Sequence, residues 1–120
     1  MAEDRYVIRS GEQGDIEIAT DVIAEIAGIA AFEVEGVSSI AGGITKSTIG
    51  KQSSKNLSKG IRLDLTGDGA VIDIALNLDY GSSIPKVTAA VQERIKNTVS
   101  NMTGLEIADV NVKVIGIEEE

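Results

Sequence analysis

The chain has 120 residues, the length of one ordinary domain, and 42% of them are hydrophobic and 25% charged, as in folded globular proteins. Its 19 acidic and 11 basic residues make a formal charge of −8, which disfavours nucleic acid and anionic lipid as partners. The absence of Cys and His excludes disulfides, thiolate nucleophiles, His-based triads and the usual zinc sites. With two Tyr, one Phe and no Trp, we expect an aliphatic, Ala-rich core and no surface for stacking bases.

The two ends of the chain are charged and show no hydrophobic periodicity. We predict a flexible N-terminal arm over residues 1–14, a single α+β domain over residues 15–117 and a solvated acidic tail over residues 118–120. The acidic start is unlike a signal peptide, and the uncharged apolar run from Ile26 to Phe32 is far shorter than the about 20 residues of a membrane span. We therefore expect a cytoplasmic protein without a span, which reaches a membrane only through a partner.

A short strand and a helix are the first regular elements. Alternation at Ile16 and Ile18 predicts the strand, and Thr20 is a suitable N-cap for the helix. Apolar residues at helical spacing predict a broad buried stripe, and Gly36 is placed to end the helix. The stripe consists of Ile23, Ala27, Ala30 and Val34, with Val22, Ile26 and Ile29 beside it.

Residues 37–60 lack periodicity and are rich in Gly, Ser and Thr. We predict a long loop over residues 41–59. Loops of this length inside a compact domain are usually functional or disordered, and the sequence leaves both readings open.

A β-hairpin is the most regular pattern in the chain. Ile61, Leu63 and Leu65 alternate with polar residues, and the alternation continues from Ala70 to Tyr80. Residues 66–69, with glycine on both sides of an Asp, are predicted to turn between the two strands.

A second helix and a last strand complete the pattern. Pro85 suits the first turn of the helix and Gly104 its end, and the alternation from Ala108 to Ile115 predicts the strand. The predicted buried stripe of the helix is Val87, Val91, Ile95, Val99 and Met102. The order β-α-loop-β-β-α-β predicts a two-layer α+β fold with a mixed or antiparallel sheet and two helices on one face.

The acidic residues offer little for catalysis. Asp64, Asp73, Asp79 and Asp109 are expected on the solvent face of the sheet, where a solvated surface is favoured over a divalent-ion site because no metal-ligand spacing is present. The segment from Gly43 to Gln52 departs from a phosphate-binding loop, because six residues separate its glycines and Gln follows its last Lys. We predict no enzymatic activity, no cofactor and no metal.

Basic residues are unevenly distributed along the chain. Between Gly36 and Leu63 lie five of the 11 bases and none of the 19 acids. These candidate partner-binding residues are Lys46, Lys51, Lys55, Lys59 and Arg62. They predict either a basic loop that docks an acidic partner surface or anionic headgroups, or a solvated loop that offsets the acidic body. Because no aromatics are interleaved with them, sequence-specific RNA binding is disfavoured.

Several segments resemble the alkaline shock protein family, also called envelope stress response proteins, of mainly Gram-positive bacteria. The segments are Gly14–Ile18, Ala30–Val37, Tyr80–Val87, Val91–Glu93 and Met102–Val112. The resemblance spans about residues 10 to 116 and implies a small cytoplasmic protein without known catalytic or ligand residues. Members are linked to cell-envelope homeostasis under stress; some are held at the membrane by a separate membrane protein, and others are associated with fatty-acid metabolism.

Three functions follow as hypotheses. The first is a non-catalytic interaction or scaffold module of the envelope stress response, with a protein partner that anchors it to the membrane. The second is a regulator of lipid-synthesis enzymes, and the third is an anion-binding domain that uses the basic loop. Homo-oligomerisation stays open, because edge strands at residues 61–66 or 107–115 are able to pair between chains and their charged residues are equally able to prevent it.

Overall fold

The protein is described here by a computed structural model, which covers residues 5–9, 15–66 and 69–119, with side chains from Thr20 to Leu65 and from Gly69 to Glu119. Its elements in chain order are β1 (Arg5–Arg9), β2 (Asp15–Ala19), α1 (Thr20–Phe32), β3 (Val37–Ile40), α2 (Ser54–Leu57), β4 (Ile61–Thr66), β5 (Gly69–Asp79), α3 (Ile84–Thr103) and β6 (Ile107–Glu118). The predicted two-layer α+β fold is confirmed: a mixed sheet packs one face against α1 and α3.

Strand β5 is the centre of this sheet. Strand β6 pairs with it in parallel along one edge, from Ala70 to Asp79. The other edge is shared by two strands, because β4 pairs antiparallel with the first half of β5 and β3 pairs antiparallel with the second half. Ala75 joins the two halves, since its N–H donates to Gly60 O at 2.8 Å and its carbonyl accepts from Ala41 N at 2.9 Å.

The core lies between this sheet and the two long helices. Alternate β5 residues are buried on the helix side, and α3 presents the stripe that its spacing predicts. The most deeply buried residues of these two elements are Ala70, Ile72, Ile74, Leu76, Leu78, Val91, Ile95 and Val99. Ala27, Ala30 and Ala31 of α1 are fully buried, and such small side chains permit a close approach of α1 to its neighbours. The aliphatic, Ala-rich core is therefore as predicted.

Several details of the first half differ from the predictions. Strand β1 lies within the predicted irregular arm and pairs antiparallel with β2, so the strand predicted at Ile16 and Ile18 exists but pairs outside the main sheet. Strand β3, in a segment without periodicity, was missed. Helix α1 ends at Phe32, four residues before Gly36, and Val22 and Ile29 are 48% and 42% exposed rather than part of the buried stripe.

The chain must turn early because β3 pairs with β5. Gly36 has a φ of 105° and its carbonyl accepts the N–H of Asp79, which places the turn directly before the ladder. This positive φ is the conformation that glycine adopts without a Cβ penalty. The predicted glycine is thus used for the turn into a strand rather than as the residue immediately after the helix.

In the second half the predicted elements are confirmed with shifted ends. Gly104 ends α3 with a φ of 74°, but Met102 is 66% exposed, so the buried stripe ends at Val99. Strand β6 runs to Glu118, and Glu118 accepts hydrogen bonds from Ser38 and Ser39, so the predicted tail is in part a paired strand. Gly67 and Asp68, the centre of the predicted hairpin turn, lie outside the described residues.

The predicted long loop is built from short turns. Residues 49–51 form a 3-10 helix, α2 is capped by Ser53, whose Oγ accepts from Asn56 N at 3.2 Å, and Ile40 bridges to Ile44. Three of its aliphatic side chains are buried and anchor it to the core: Ile44, Ile49 and Leu57. The structure therefore shows an ordered, packed segment rather than a disordered loop.

Candidate functional site

The five candidate cations all lie on the surface of one chain segment, which we call the basic segment, residues 46–62. Each of its lysines and Arg62 is exposed. Among the described residues, no carboxylate oxygen comes within the 4 Å of an ion pair with any of the five, whereas Arg94 on α3 pairs with Glu33 at 3.1 Å. The charge segregation that the sequence shows is therefore kept on the folded surface.

The first part of the basic segment packs against α1. A Cβ on Gly28 of α1 would lie 2.6 Å from Ile49 Cδ1, so the 3-10 helix sits directly on this glycine. Ser54 Oγ donates to Asp21 Oδ2 at 2.7 Å, which ties the start of α2 to the start of α1. These contacts place the part of the basic segment that carries the exposed Lys51 and Lys55 beside α1.

The last part of the basic segment reaches the other side of the sheet. Lys59 and Arg62 line a depression of about 280 Å³ on the sheet face that points away from α1 and α3. Lys113 of β6 lines the same depression from the opposite side, and Ala75 of β5 lies between them. We call Lys59, Arg62 and Lys113 the sheet-face cluster.

Strand register explains why these three cations converge. Ala75 is aligned with Lys113 on β6 and is bonded on the other edge to Gly60, the residue directly after Lys59, so a basic residue lies near it on each side. One row further along the sheet, Arg62 is aligned with Asp73, which is aligned with Asn111. Asn111 Nδ2 donates to Asp73 Oδ1 at 2.8 Å, so the single acid of the depression is held by a neutral amide rather than by a cation.

The predicted site is thus divided by the fold. Of the five predicted residues, the structure brings Lys59 and Arg62 together, while Lys46, Lys51 and Lys55 do not line this depression. Sequence reasoning missed Lys113. Its place in the alternation from Ala108 to Ile115 assigned it to the solvent face, but only the parallel pairing of β6 with β5 shows which residues it faces.

The acids of the sheet do not gather into a metal site in the described part of the chain. Asp64, Asp73 and Asp109 do share the solvent face, as predicted, but no group of three or more acidic side chains is placed to hold a metal ion in residues 20–65 and 69–119. The hydroxyl group of Thr45 lies 3.2 Å from those of Ser47 and Thr48 in a tight turn, which is unlike a strand–loop–helix phosphate site.

None of the helices in the described ranges has the length and apolar character that crossing a bilayer requires. Helix α3 is the longest, with 20 residues, but only one of its faces is apolar.

Comparison with known families assigns almost the whole chain to one of them. The profile of the ASP23 family, described as having a cell envelope-related function, matches residues 9–119.

Individual relatives agree with this match. The protein YqhY of Bacillus subtilis (strain 168) is 44% identical over 105 residues, which cover 88% of this chain and 78% of YqhY. The protein YloU of the same strain is 32% identical over 110 residues, which cover 87% of this chain and 88% of YloU. A stress response regulator gls24 homolog of Streptococcus pyogenes serotype M3 is 23% identical over 112 residues, 92% of this chain and 63% of the homolog.

Solved structures of the MamM CTD have a similar fold. A variant with one substitution gives a TM-score of 0.52 at 14% identity, covering 83% of this chain and 100% of that one. A variant with three substitutions gives 0.51 at 15% identity, covering 82% and 96%. At such identities the similarity concerns the fold alone.

Proposed function

We propose that the chain, which belongs to the alkaline shock protein family, also called the ASP23 family, is a non-catalytic protein-interaction module of the envelope stress response. The proposal starts from the function of this family, which is related to the cell envelope. The relative named a stress response regulator supports the link to stress. In this proposal the protein is cytoplasmic and reaches the membrane through a membrane-anchored partner.

One observation carries the interaction role. The basic segment presents five exposed cations with no acid in the surrounding stretch from residue 36 to residue 63, on a chain whose net charge is −8. Cations that pair with no carboxylate in the described part of the chain are available to an acidic partner surface, and opposite charges across an interface speed association and select the partner.

The proposal is tested by affinity capture from a membrane-containing lysate. The wild-type chain is compared with a variant that carries Glu in place of Lys46, Lys51, Lys55 and Lys59. We expect the wild type to retain a specific protein partner with a membrane anchor and the folded variant to lose it.

A control variant keeps the type of charge change but moves it elsewhere. Lys86 and Lys96 are exposed on α3, and Lys86→Glu with Lys96→Glu is expected to leave the partner bound. Recovery of no specific partner by the wild type, or of the same partner by all three proteins, would contradict the proposed docking role of the basic segment.

A further inference from the structure

The sheet face that points away from the helices has a depression at its centre. Small residues create this depression. Ala75 forms its middle, and Gly60, which directly precedes β4, is hydrogen-bonded to Ala75. On the same face, the space over Gly116 of β6 is taken up by Asn77, whose Oδ1 would lie 2.8 Å from a Cβ on this glycine. The short side chain of Ala75 therefore forms the floor of the depression, and longer side chains surround it.

Those long side chains are mostly cationic. The sheet-face cluster places Lys59 and Arg62 on one side of Ala75 and Lys113 on the other, and Asp73 is the one acid that lines the depression. All three cations are exposed and have no carboxylate partner among the described residues. The depression thus carries a net positive charge on a protein that is acidic as a whole.

We propose that the sheet-face cluster is the docking site for an extended acidic segment of a partner protein, with a carboxylate seated over Ala75 between Lys113 and the Lys59–Arg62 side. This inference rests on the proposed function, since it names the residues and the kind of partner segment that the interaction module uses.

The form of the depression favours a segment over a small free anion. The cations that surround it are exposed, and ion pairs between exposed groups contribute little individually. A free anion therefore gains only these solvated contacts. A segment brings several carboxylates on one chain, and its side chains also cover the apolar surface of Ala75, which increases the area removed from water.

The limits of the positive charge set the length of the acidic stretch. Asp64 and Asp109 face outward one row beyond Arg62 and Asn111, and at the other end of β5 Asp79 is aligned with Glu118. Like charges at both ends repel further carboxylates, so the fitting segment has its Asp and Glu residues concentrated over the Ala75 row.

The test measures direct binding of a defined probe to the full chain. The probe is a short fluorescein-labelled peptide of alternating Glu and Ser, with a Lys and Ser peptide as the opposite-charge control, and the readout is fluorescence anisotropy at fixed ionic strength. We expect the wild type to bind the acidic peptide and not the basic one, with an affinity that falls as salt increases.

Two variants with equal charge change separate the site from the general field. In the cluster variant, Arg62 and Lys113 are replaced by Glu; in the matched control, Lys86 and Lys96 of α3, which are exposed and do not line the depression, are replaced by Glu. The affinity of the cluster variant for the acidic peptide is expected to fall about ten-fold or more, because two exposed contacts change from attraction to repulsion. The affinity of the control variant is expected to change by about two-fold or less. Equal losses in the two variants would overturn the proposal.

A third variant fills the depression without changing any charge. Ala75→Phe is expected to weaken peptide binding about five-fold or more, and Ala75→Val, which adds less volume, by a smaller factor. Both substitutions place residues with good strand propensity on a half-exposed position, and unfolding curves show whether each variant is folded. Unchanged binding by both folded variants would show that Ala75 is not covered by the segment and would overturn the proposal.

Other occupants give different results. If inorganic phosphate displaces the peptide when both are present at the same total concentration of negative charge, the depression binds small anions and the proposal is wrong. If sedimentation shows that the wild type self-associates and the cluster variant does not, a second copy of the chain is the occupant and the proposal is equally wrong.

Failure of this site is distinguishable from failure of the proposed function. If the four-lysine variant loses its partner in the lysate experiment while the cluster variant binds the acidic peptide as the wild type does, the interaction role stands and the sheet-face site is rejected.

Discussion

Gly60 lies where the two strands that share one edge of β5 come together. A Cβ at this position would lie 2.5 Å from Ile40 Cγ2 and 2.6 Å from the Ala41 carbonyl oxygen. Gly60 O also accepts the Ala75 N–H at 2.8 Å, so the backbone has little freedom to move away. The glycine is required here by packing, because close-packed interiors tolerate no such overlap.

We predict that Gly60→Ala destabilises the protein by about 2 kcal/mol or more, the usual cost of overpacking a core position. Gly50→Ala is the matched control, since the nearest atom to its added Cβ is Glu25 Oε2 at 3.8 Å, and a change within about 0.5 kcal/mol is expected. Urea unfolding measures the free energy of unfolding of both variants. The same midpoint for the two variants would show that the junction at Gly60 relaxes freely.

Strand β5 differs from its neighbours because both of its edges are paired. Successive N–H groups of a strand point to opposite edges, so every amide of β5 from Ala70 to Leu78 meets a partner strand or its extension. In the described part of the chain, β4 and β6 pair only with β5, and alternate amides of these strands point outward.

Hydrogen exchange is expected to report this difference as a pattern. We predict continuous protection along β5 and alternating protection along β4 and β6. In β4 and β6, the amides that point toward β5 are expected to exchange at least about 100-fold more slowly than those that point away from it. Amide exchange followed by NMR measures it residue by residue. Continuous protection along β6 would indicate that its outer edge is covered in solution, for example by a second chain.

The whole molecule carries a strongly divided charge. The basic segment and its surroundings contain five bases and no acid, and the other residues contain six bases and 19 acids. Attraction between the two parts offsets some of the repulsion within the acidic part, because the field of a protein sums over all its charges.

Reversal of Lys46, Lys51, Lys55 and Lys59 to Glu doubles the net charge of −8 and removes this attraction. Because all four side chains are exposed, we expect a loss of about 1 kcal/mol or less in low salt, which shrinks as salt screens the charges. Thermal unfolding at two salt concentrations measures it. Replacement of the same lysines by Gln is expected to give about half the effect, and a loss that salt does not reduce would indicate broken packing instead.

Local patterns in the sequence predicted the elements that depend on local physics. Alternation over residues 61–65 and 70–79 placed the hairpin and the buried face of β5, whereas Leu65 at the end of β4 is 54% exposed; the spacing of Val87, Val91 and Ile95 placed the buried face of α3. The charge segregation was equally visible, because exposed side chains keep their charge wherever the chain folds. The family resemblance followed from short motifs and is confirmed.

Pairing between distant segments was decided only in the tertiary structure. No periodicity marks β3, which is a strand because β5 offers it an edge, and the pairing of β1 with β2 turned a predicted arm into a hairpin. The sheet-face cluster has the same origin: Lys113 is 51 positions after Arg62 in the chain, and parallel pairing of β6 with β5 brings them to one depression. The sequence by itself determined the β4–β5 hairpin, the buried face of α3 and the distribution of charge, since these depend on neighbouring residues. Which cations share a site depends on strand order and register, which long-range hydrogen bonding and core packing select together.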